Sequence, residues 1–380
     1  MTWLGTLGGS FSDAWGVSSD PVVVGESYTA TGATHAFRWT SSAGMQDLGT
    51  LGNAYSSAKD VSPKGSVVVG DSTTPYDNVI THAFRWTSMG GMVDLGTLGG
   101  DYSNAYGVSN DGNVIVGGST TASGSAHAFR WTSVSGMQDL GTLGGDYSFA
   151  YDVSADGSVV VGLSYIAGDS NTWHAFRWTP SGGMQDLGTL GGLTSQALGV
   201  SSDGSVIVGA SYTPSNSNTH AFLWTPGGGM QDLGTLGGSH SVAYKVSADG
   251  SVVVGYAFLP GDSFFHAFIW TPGSGMQDLG TLGCSHSEAH GVSADGSVVV
   301  GRAWLAGNTT AHAFRWTTVG GMEDLNVTYA NLLSDGSVLN LASSASADGR
   351  YIVGYGYNAT TGRNEGFLLR TVVPNKPPRK

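Results

Sequence analysis

Ala105-Tyr106-Gly107-Val108-Ser109-Asn110-Asp111-Gly112-Asn113-Val114-Ile115-Val116-Gly117 reads as two strands joined by a tight turn. Asp-Gly supplies the positive φ that a two-residue hairpin requires. Ala105 to Ser109 are mostly small and suit a crowded innermost strand, and Asn113 to Gly117 carry the β-branched residues of a second strand. Further on, His127-Ala128-Phe129-Arg130-Trp131-Thr132 alternates large and small side chains, as a strand between two neighbours does. Gly136 to Leu140 is a fourth strand, and Gly141-Thr142-Leu143-Gly144-Gly145 leads onward. No helical period competes, except weakly over 329–339. Four strands in this order predict one blade of a β-propeller.

The unit recurs. His-Ala-Phe has its His at 35, 82, 127, 174, 220, 266 and 312, with a degenerate copy at Glu365-Gly366-Phe367. The Val-Val-Val-Gly block ends at Gly25, Gly70, Gly117, Gly162, Gly209, Gly255, Gly301 and Gly354, so there are eight repeats. A period in this range means a propeller or a solenoid. The ends decide: Trp3-Leu4-Gly5-Thr6-Leu7-Gly8-Gly9 matches a fourth strand and exit loop, and the eighth copy stops after a third strand, Gly366-Phe367-Leu368-Leu369-Arg370. A ring closed this way leaves no sheet edge unpaired, whereas a solenoid would want polar caps. The expectation is an all-β chain forming a single eight-bladed β-propeller over 1–371, its four-stranded blades closed by the N-terminal strand. An insertion at 326–341 precedes the last blade, and 372–380 is a basic, Pro-rich tail.

Composition narrows the function classes. Glycine makes up 61 of 380 residues, the chain is 40% hydrophobic and 11% charged, and the net charge is −13. Basic residues are scattered apart from Lys376 to Lys380, which argues against nucleic acid as a partner. No apolar run of 18 residues occurs, so no transmembrane helix is expected. Met1-Thr2-Trp3-Leu4-Gly5 has neither a basic nor an apolar leader segment, so no signal peptide is expected. The single Cys284 permits no internal disulfide, and a ring without free edges is expected to be a monomer.

His-Ala-Phe-Arg-Trp-Thr, Gly-Met-Gln-Asp-Leu-Gly-Thr-Leu-Gly-Gly and Ser-Ala-Asp-Gly-Ser-Val-Val-Val-Gly together resemble the bacterial "probable extracellular repeat, HAF family". The resemblance covers nearly the whole chain, and the stretch Glu323-Asp324-Leu325-Asn326 through Gly354 resembles how such proteins finish. It implies a secreted or surface-exposed protein, extracellular in location, and no particular activity.

Positions shared by every repeat answer a demand shared by every blade. The seven His of His-Ala-Phe are expected to make structural hydrogen bonds, since they stand far apart around a ring and cannot converge on one metal. Trp39, Trp86, Trp131, Trp178, Trp224, Trp270 and Trp316 are expected to pack between blades. Asp47, Asp94, Asp139, Asp186, Asp232, Asp278 and Asp324 are expected to accept loop N–H groups. Specificity belongs to what varies. After each exit loop come Phe11, Tyr55, Tyr102, Tyr147, Thr194, His240 and His286. After each second strand come Tyr28, Thr73, Thr120, Tyr165, Tyr212, Phe258, Trp304 and Tyr357. These predict two concentric, mostly aromatic sets on one face near the central opening. Such surfaces suit stacking against carbohydrate, loop packing, or a cell-surface protein partner. The same loops hold Asp13, Glu26, Asp71, Asp77, Asp101, Asp146, Asp169, Asp262 and Glu288, which makes the face acidic; no Asp-x-Asp-x-Asp-Gly loop supports Ca²⁺.

Repeats six and seven depart furthest from the pattern. Cys284-Ser285-His286-Ser287-Glu288-Ala289-His290, if extended, places Cys284, His286, Glu288 and His290 on one side, a set zinc could accept. Alternatively His240, Tyr244, His286 and His290, with Arg302 and Lys245 nearby, could handle protons in a polysaccharide lyase or hydrolase. Ordinary loop drift is the remaining alternative, with no cofactor. The reading that follows is a non-enzymatic binding propeller whose ligand set is Phe11, Tyr28, Tyr55, Tyr102, Tyr147, Tyr165, Tyr212, His240, His286 and Trp304, with an enzyme or an assembly scaffold as rivals.

Overall fold

The structure, a computed structural model, describes residues 1–75, 79–305, 307 and 310–371. Asp77 and the tail 372–380 lie outside the described residues. The repeats span 8–47, 56–94, 99–139, 144–186, 195–232, 241–278, 287–324 and 338–370. Repeats two to seven each form one four-stranded antiparallel sheet, and repeats one and eight share an eight-stranded sheet. The chain is an all-β propeller.

Repeat three shows why the sequence folds this way. Gly99–Val108, Val114–Thr121, Ala126–Thr132 and Gly136–Asp139 pair in chain order. Asp111 Oδ1 accepts the Ser109 hydroxyl at 2.7 Å and the Asn113 N–H at 3.0 Å, fixing the turn. Gly112 has φ +74°, and a Cβ there would lie 2.5 Å from Val67 of the preceding repeat. Glycine is therefore required both by the turn and by the packing of repeat on repeat. Between Ala105 and Gly107 the inner strand bulges, so Tyr106 is an extra residue facing no partner. The same bulge recurs at Trp15, Lys59, Tyr151, Leu198, Tyr244 and His290.

The core lies between repeats rather than within them. Val22, Val24 and Ala36 of repeat one pack against Val68, Phe84 and Trp86 of repeat two. The His-Ala-Phe phenylalanines are fully buried, so each removes enough apolar area to contribute about 2–3 kcal/mol. A buried serine then ties each junction from repeat one to repeat seven: the Ala36 N–H donates to Ser56 Oγ at 2.8 Å, and that hydroxyl donates to the Gly49 carbonyl at 2.6 Å. Ser103, Ser148, Ser195, Ser241 and Ser287 receive the equivalent N–H at 2.8 Å. On the opposite face, backbone N–H groups link the turns of Asn110 to Ala155, Ala155 to Ser202, Ser202 to Ala248, Ala248 to Ala294 and Ala294 to Ala347. Ser19 likewise donates to Pro63, which has no N–H with which to continue the series.

The eight-stranded sheet consists of two four-stranded halves. Thr2–Trp3 pairs antiparallel with Arg363–Arg370 through Thr2↔Leu368 and Trp3↔Phe367. One parallel bridge, Phe11↔Asn364, joins this half to repeat one. Bridges of the same kind join successive repeats at Thr34↔Tyr55, Thr219↔His240 and Phe265↔His286. Ahead of repeat eight, Leu325–Thr328 is a short α-helix capped by Asp324, and Ala330–Leu332 is a 3-10 turn. The segment expected as an insertion ends earlier than 341, because Val338–Ala345 is already the inner strand of repeat eight. No helix among the described residues is long and apolar enough to cross a membrane.

Candidate functional site

The invariant histidines are framework. His35 Nδ1 lies 2.9 Å from both Asp47 oxygens, and Asp47 Oδ1 also accepts the Gly49 N–H at 2.7 Å. The pair recurs in repeats two to seven, from His82–Asp94 to His312–Asp324, always at 2.8 Å to one oxygen. Each carboxylate thus ties the third strand to the fourth, and with them the exit loop in repeats one to six and the following helix in repeat seven. Among the described residues no three metal-ligating side chains converge.

The variable aromatics meet in pairs. Within a repeat the two positions pack side by side: Phe11 on Tyr28 and Tyr147 on Tyr165 at 5.5 Å, His240 on Phe258 at 5.5 Å, and His286 on Trp304 at 5.9 Å. At Phe11, His240 and His286 a bridge between repeats holds the first position against the neighbouring third strand. His240 Nδ1 accepts the Thr219 N–H at 3.1 Å, and Tyr55 bridges to Thr34. Thr73 is buried. Among the described residues, four tyrosines stay open to solvent: Tyr28 at 39%, Tyr102 at 38%, Tyr147 at 40% and Tyr357 at 42%. Tyr102 and Tyr147 border equivalent hollows of about 330 and 230 Å³. The first is floored by Gly99 and Gly100 and edged by Asp101 and Thr120; the second by Gly144 and Gly145 and edged by Asp146, Tyr165 and Asp169. Tyr212 borders a hollow of about 230 Å³ with Trp173 and Gln196.

In repeats six and seven the candidates separate into two groups. Strand Ser287–Val292 begins after His286, so Cys284 and Ser285 lie in a bend, and the expected alternation over four ligands does not form. His286 Nδ1 sits 2.9 Å from Ser285 Oγ, with its ring 4.3 Å from that of Phe265. Glu288 and His290 do share a face, at 3.2 Å. Arg302 donates from Nε at 3.0 Å and Nη2 at 2.9 Å to Glu288 Oε2, and its guanidinium lies 4.7 Å from the Trp304 ring centroid. Tyr244 stacks on His290 at 5.9 Å. Of the catalytic alternatives, Tyr244, His290 and Arg302 therefore meet around Glu288, while His240 and His286 belong to repeat junctions. Burial pushes the Tyr244 hydroxyl above its ordinary value, with the Tyr256 and Glu288 charges adding to it, which makes it a poor base at neutral pH.

A second polar cluster, of which the sequence pattern marks only the acidic Asp13, Glu26 and Asp71, joins repeats one and two. Asp13 faces Glu26 and Ser57 faces Asp71 across their strand pairs. Lys59 Nζ lies 3.7 Å from Asp71 and 4.2 Å from the Trp15 ring centroid. Burial lifts the Asp13 carboxyl to about 6 against a hydrogen bond from Trp15, and the Glu26 charge reinforces the rise. Below this cluster a central cavity of about 310 Å³ is lined by the bulges Trp15, Lys59, Tyr106, Tyr151 and His290, with Asp60, Asp152 and Lys245 beside them. Burial raises Asp60 to about 6, while the Val61 N–H, the Lys245 charge and the Val108 N–H oppose it. The signal for this cavity lay in Ala-x-x-Val of the first seven inner strands, where Trp15-Gly16, Lys59-Asp60, Tyr151-Asp152 and Tyr244-Lys245 differ between otherwise constant neighbours.

No family model and no curated protein matches the chain. Its fold is similar to solved propellers. The β-propeller domain of the Trilobed protease from Pyrococcus furiosus superposes with a TM-score of 0.53 at 11% identity, covering 83% of this chain and 97% of that one. Porphyromonas gingivalis dipeptidyl peptidase 4 gives 0.54 at 10% identity, over 94% of this chain and 59% of that one. Puromycin hydrolase gives 0.53 at 14% identity, over 93% and 61%. At these identities the likeness concerns the fold alone. The Pyrococcus domain is described as having an open velcro topology, whereas here Thr2–Trp3 pairs with Arg363–Arg370.

Proposed function

We propose that the chain is a non-enzymatic binding propeller of eight blades, closed by its N-terminal strand, whose variable face engages carbohydrate at repeated shallow sites. Support for the closure comes from the junction of repeats eight and one, which uses the serine bond found at the junctions of repeats one to seven and the parallel bridge found at three of them. Support for the ligand comes from the hollows beside Tyr102 and Tyr147. Each combines an exposed tyrosine face, a glycine floor that lets a ring approach the backbone, and a carboxylate at the edge. A sugar offers a C–H face to the first and hydroxyl donors to the last. One such hollow binds weakly, and two or more on a rigid ring gain by avidity. The reading agrees with the resemblance to the HAF repeat family and with a location outside the cell.

The test is a glycan array followed by calorimetry on retained sugars. Oligosaccharides should be retained, and Tyr147→Ala should weaken a single-site ligand about tenfold, the loss of roughly 1.4 kcal/mol of stacking. No retention of any sugar at millimolar concentration would overturn the reading.

A further inference from the structure

The inner strands alternate around the ring. At the residue following the bulge, repeats one, three, five and seven have Gly16, Gly107, Gly199 and Gly291, and repeats two, four, six and eight have Asp60, Asp152, Lys245 and Ser344. The two aspartates do identical work. Asp60 accepts the N–H of Val61 at 2.8 Å and that of Val108, in the next repeat, at 3.0 Å. Asp152 accepts the N–H of Val153 at 2.9 Å and that of Val200 at 3.1 Å. Each carboxylate thus fills a niche made by two backbone N–H groups from adjacent repeats.

Repeat six carries the same bulge and the same niche without the carboxylate. Its walls are Val246 and Val292, and among the described residues no side chain accepts from either N–H. In place of an acceptor stands Lys245, exposed to the central cavity and in no ion pair among the described residues. Two converging N–H groups form an anion-binding concavity, and an ammonium beside them reverses the preference of the site from supplying a carboxylate to receiving one. We propose that this niche binds the carboxylate of a small ligand, held by the Val246 and Val292 N–H groups and Lys245 as Asp60 and Asp152 are held in their own repeats. The cavity leaves room for a body of small-molecule size, against Tyr151 and His290. The Asp60 and Asp152 carboxylates face the same cavity, and Asp60 feels the Lys245 charge across it, but the acceptor oxygens of each are taken by two N–H groups and neither enters the niche of repeat six. Ser344, in the corresponding place of repeat eight, brings no charge.

The probes are acetate and D-glucuronate, with D-glucose as the neutral control, read by amide shifts in ¹⁵N spectra and by calorimetry on the full chain. Both carboxylates should move the Val246 and Val292 amides selectively at about 50 mM, and D-glucose should not. Lys245→Asp restores the arrangement of repeats two and four, so it should fold, raise the melting temperature and abolish the shifts. Lys245→Met removes the charge without filling the niche and should weaken binding about tenfold. Sugar retention on the outer loops should survive both variants, which separates this proposal from the preceding one. Unmoved Val246 and Val292 amides with both carboxylates, or carboxylate binding by Lys245→Asp equal to that of the parent, would overturn it.

Discussion

The N–H of Gly366 donates to Ser12 Oγ at 2.9 Å, 354 positions away in the chain, and that hydroxyl donates to the Gly5 carbonyl at 2.6 Å. Ser56 makes the same two bonds between repeats one and two. If the two junctions are equivalent, Ser12→Ala and Ser56→Ala should destabilise alike. Each leaves a buried N–H without an acceptor, at about 1–3 kcal/mol. Denaturant unfolding measures both, and a neutral Ser12→Ala beside a costly Ser56→Ala would contradict the equivalence.

Acid should act on the protein in two opposite steps. Asp13 and Asp60 sit at about 6 when folded, above the value of roughly 3.9 in an unfolded chain. Their burial therefore favours the folded state increasingly as pH falls from about 6 to 4, and that gain is lost as pH rises through 6. Asp94, Asp186, Asp278 and Asp324 behave the other way. Burial alone would raise them, but the paired histidine and a backbone N–H outweigh it and hold all four below the ordinary range. Their contribution is complete above about pH 4 and disappears below it. Melting temperature against pH should peak between about 4 and 5, and Asp13→Asn should flatten the upper limb. A melting temperature that climbs steadily from pH 4 to 7 would refute the assignment.

Glu288 is a structural anchor in this account rather than a proton handler. It is largely buried, with Arg302 bonded to one oxygen and His290 beside it. Glu288→Gln should lower stability by about 1–3 kcal/mol, because it strands a partly buried guanidinium. Equilibrium unfolding measures the cost. A loss of less than a few tenths of a kcal/mol would show that the Arg302 bond contributes little.

How much of this was legible in the sequence depends on whether a feature repeats along the chain or arises across it. Strands, turns and junction tryptophans follow from patterns local to one repeat, so the spacing of His127, Asp111 and Trp131 sufficed. The His–Asp pair was readable too. His and Asp stay 12 residues apart in every repeat, although the spacing between successive histidines ranges from 45 to 47. His286 does not join the extended run expected from Cys284 to His290, because it bridges to Phe265 of the preceding repeat and the strand starts only at Ser287. The cavity groups Asp60, Asp152 and Lys245 were hidden for a related reason. Each occupies a position that the alternate repeats give to glycine, and its meaning appears only when the inner strands are set side by side.

The ring itself is tested most directly by joining its ends. Thr2 and Leu368 are direct partners in an antiparallel pair, a separation that a disulfide can span. In a Cys284→Ala background, Thr2→Cys with Leu368→Cys should oxidise to a single intramolecular bond, seen as the loss of two hydrogens in the intact mass. The melting temperature should rise, since so long a closed loop is worth up to about 4–5 kcal/mol. Two thiols that remain free and maleimide-reactive under oxidation would mean that the first and last strands do not meet, and the closed ring would have to be abandoned.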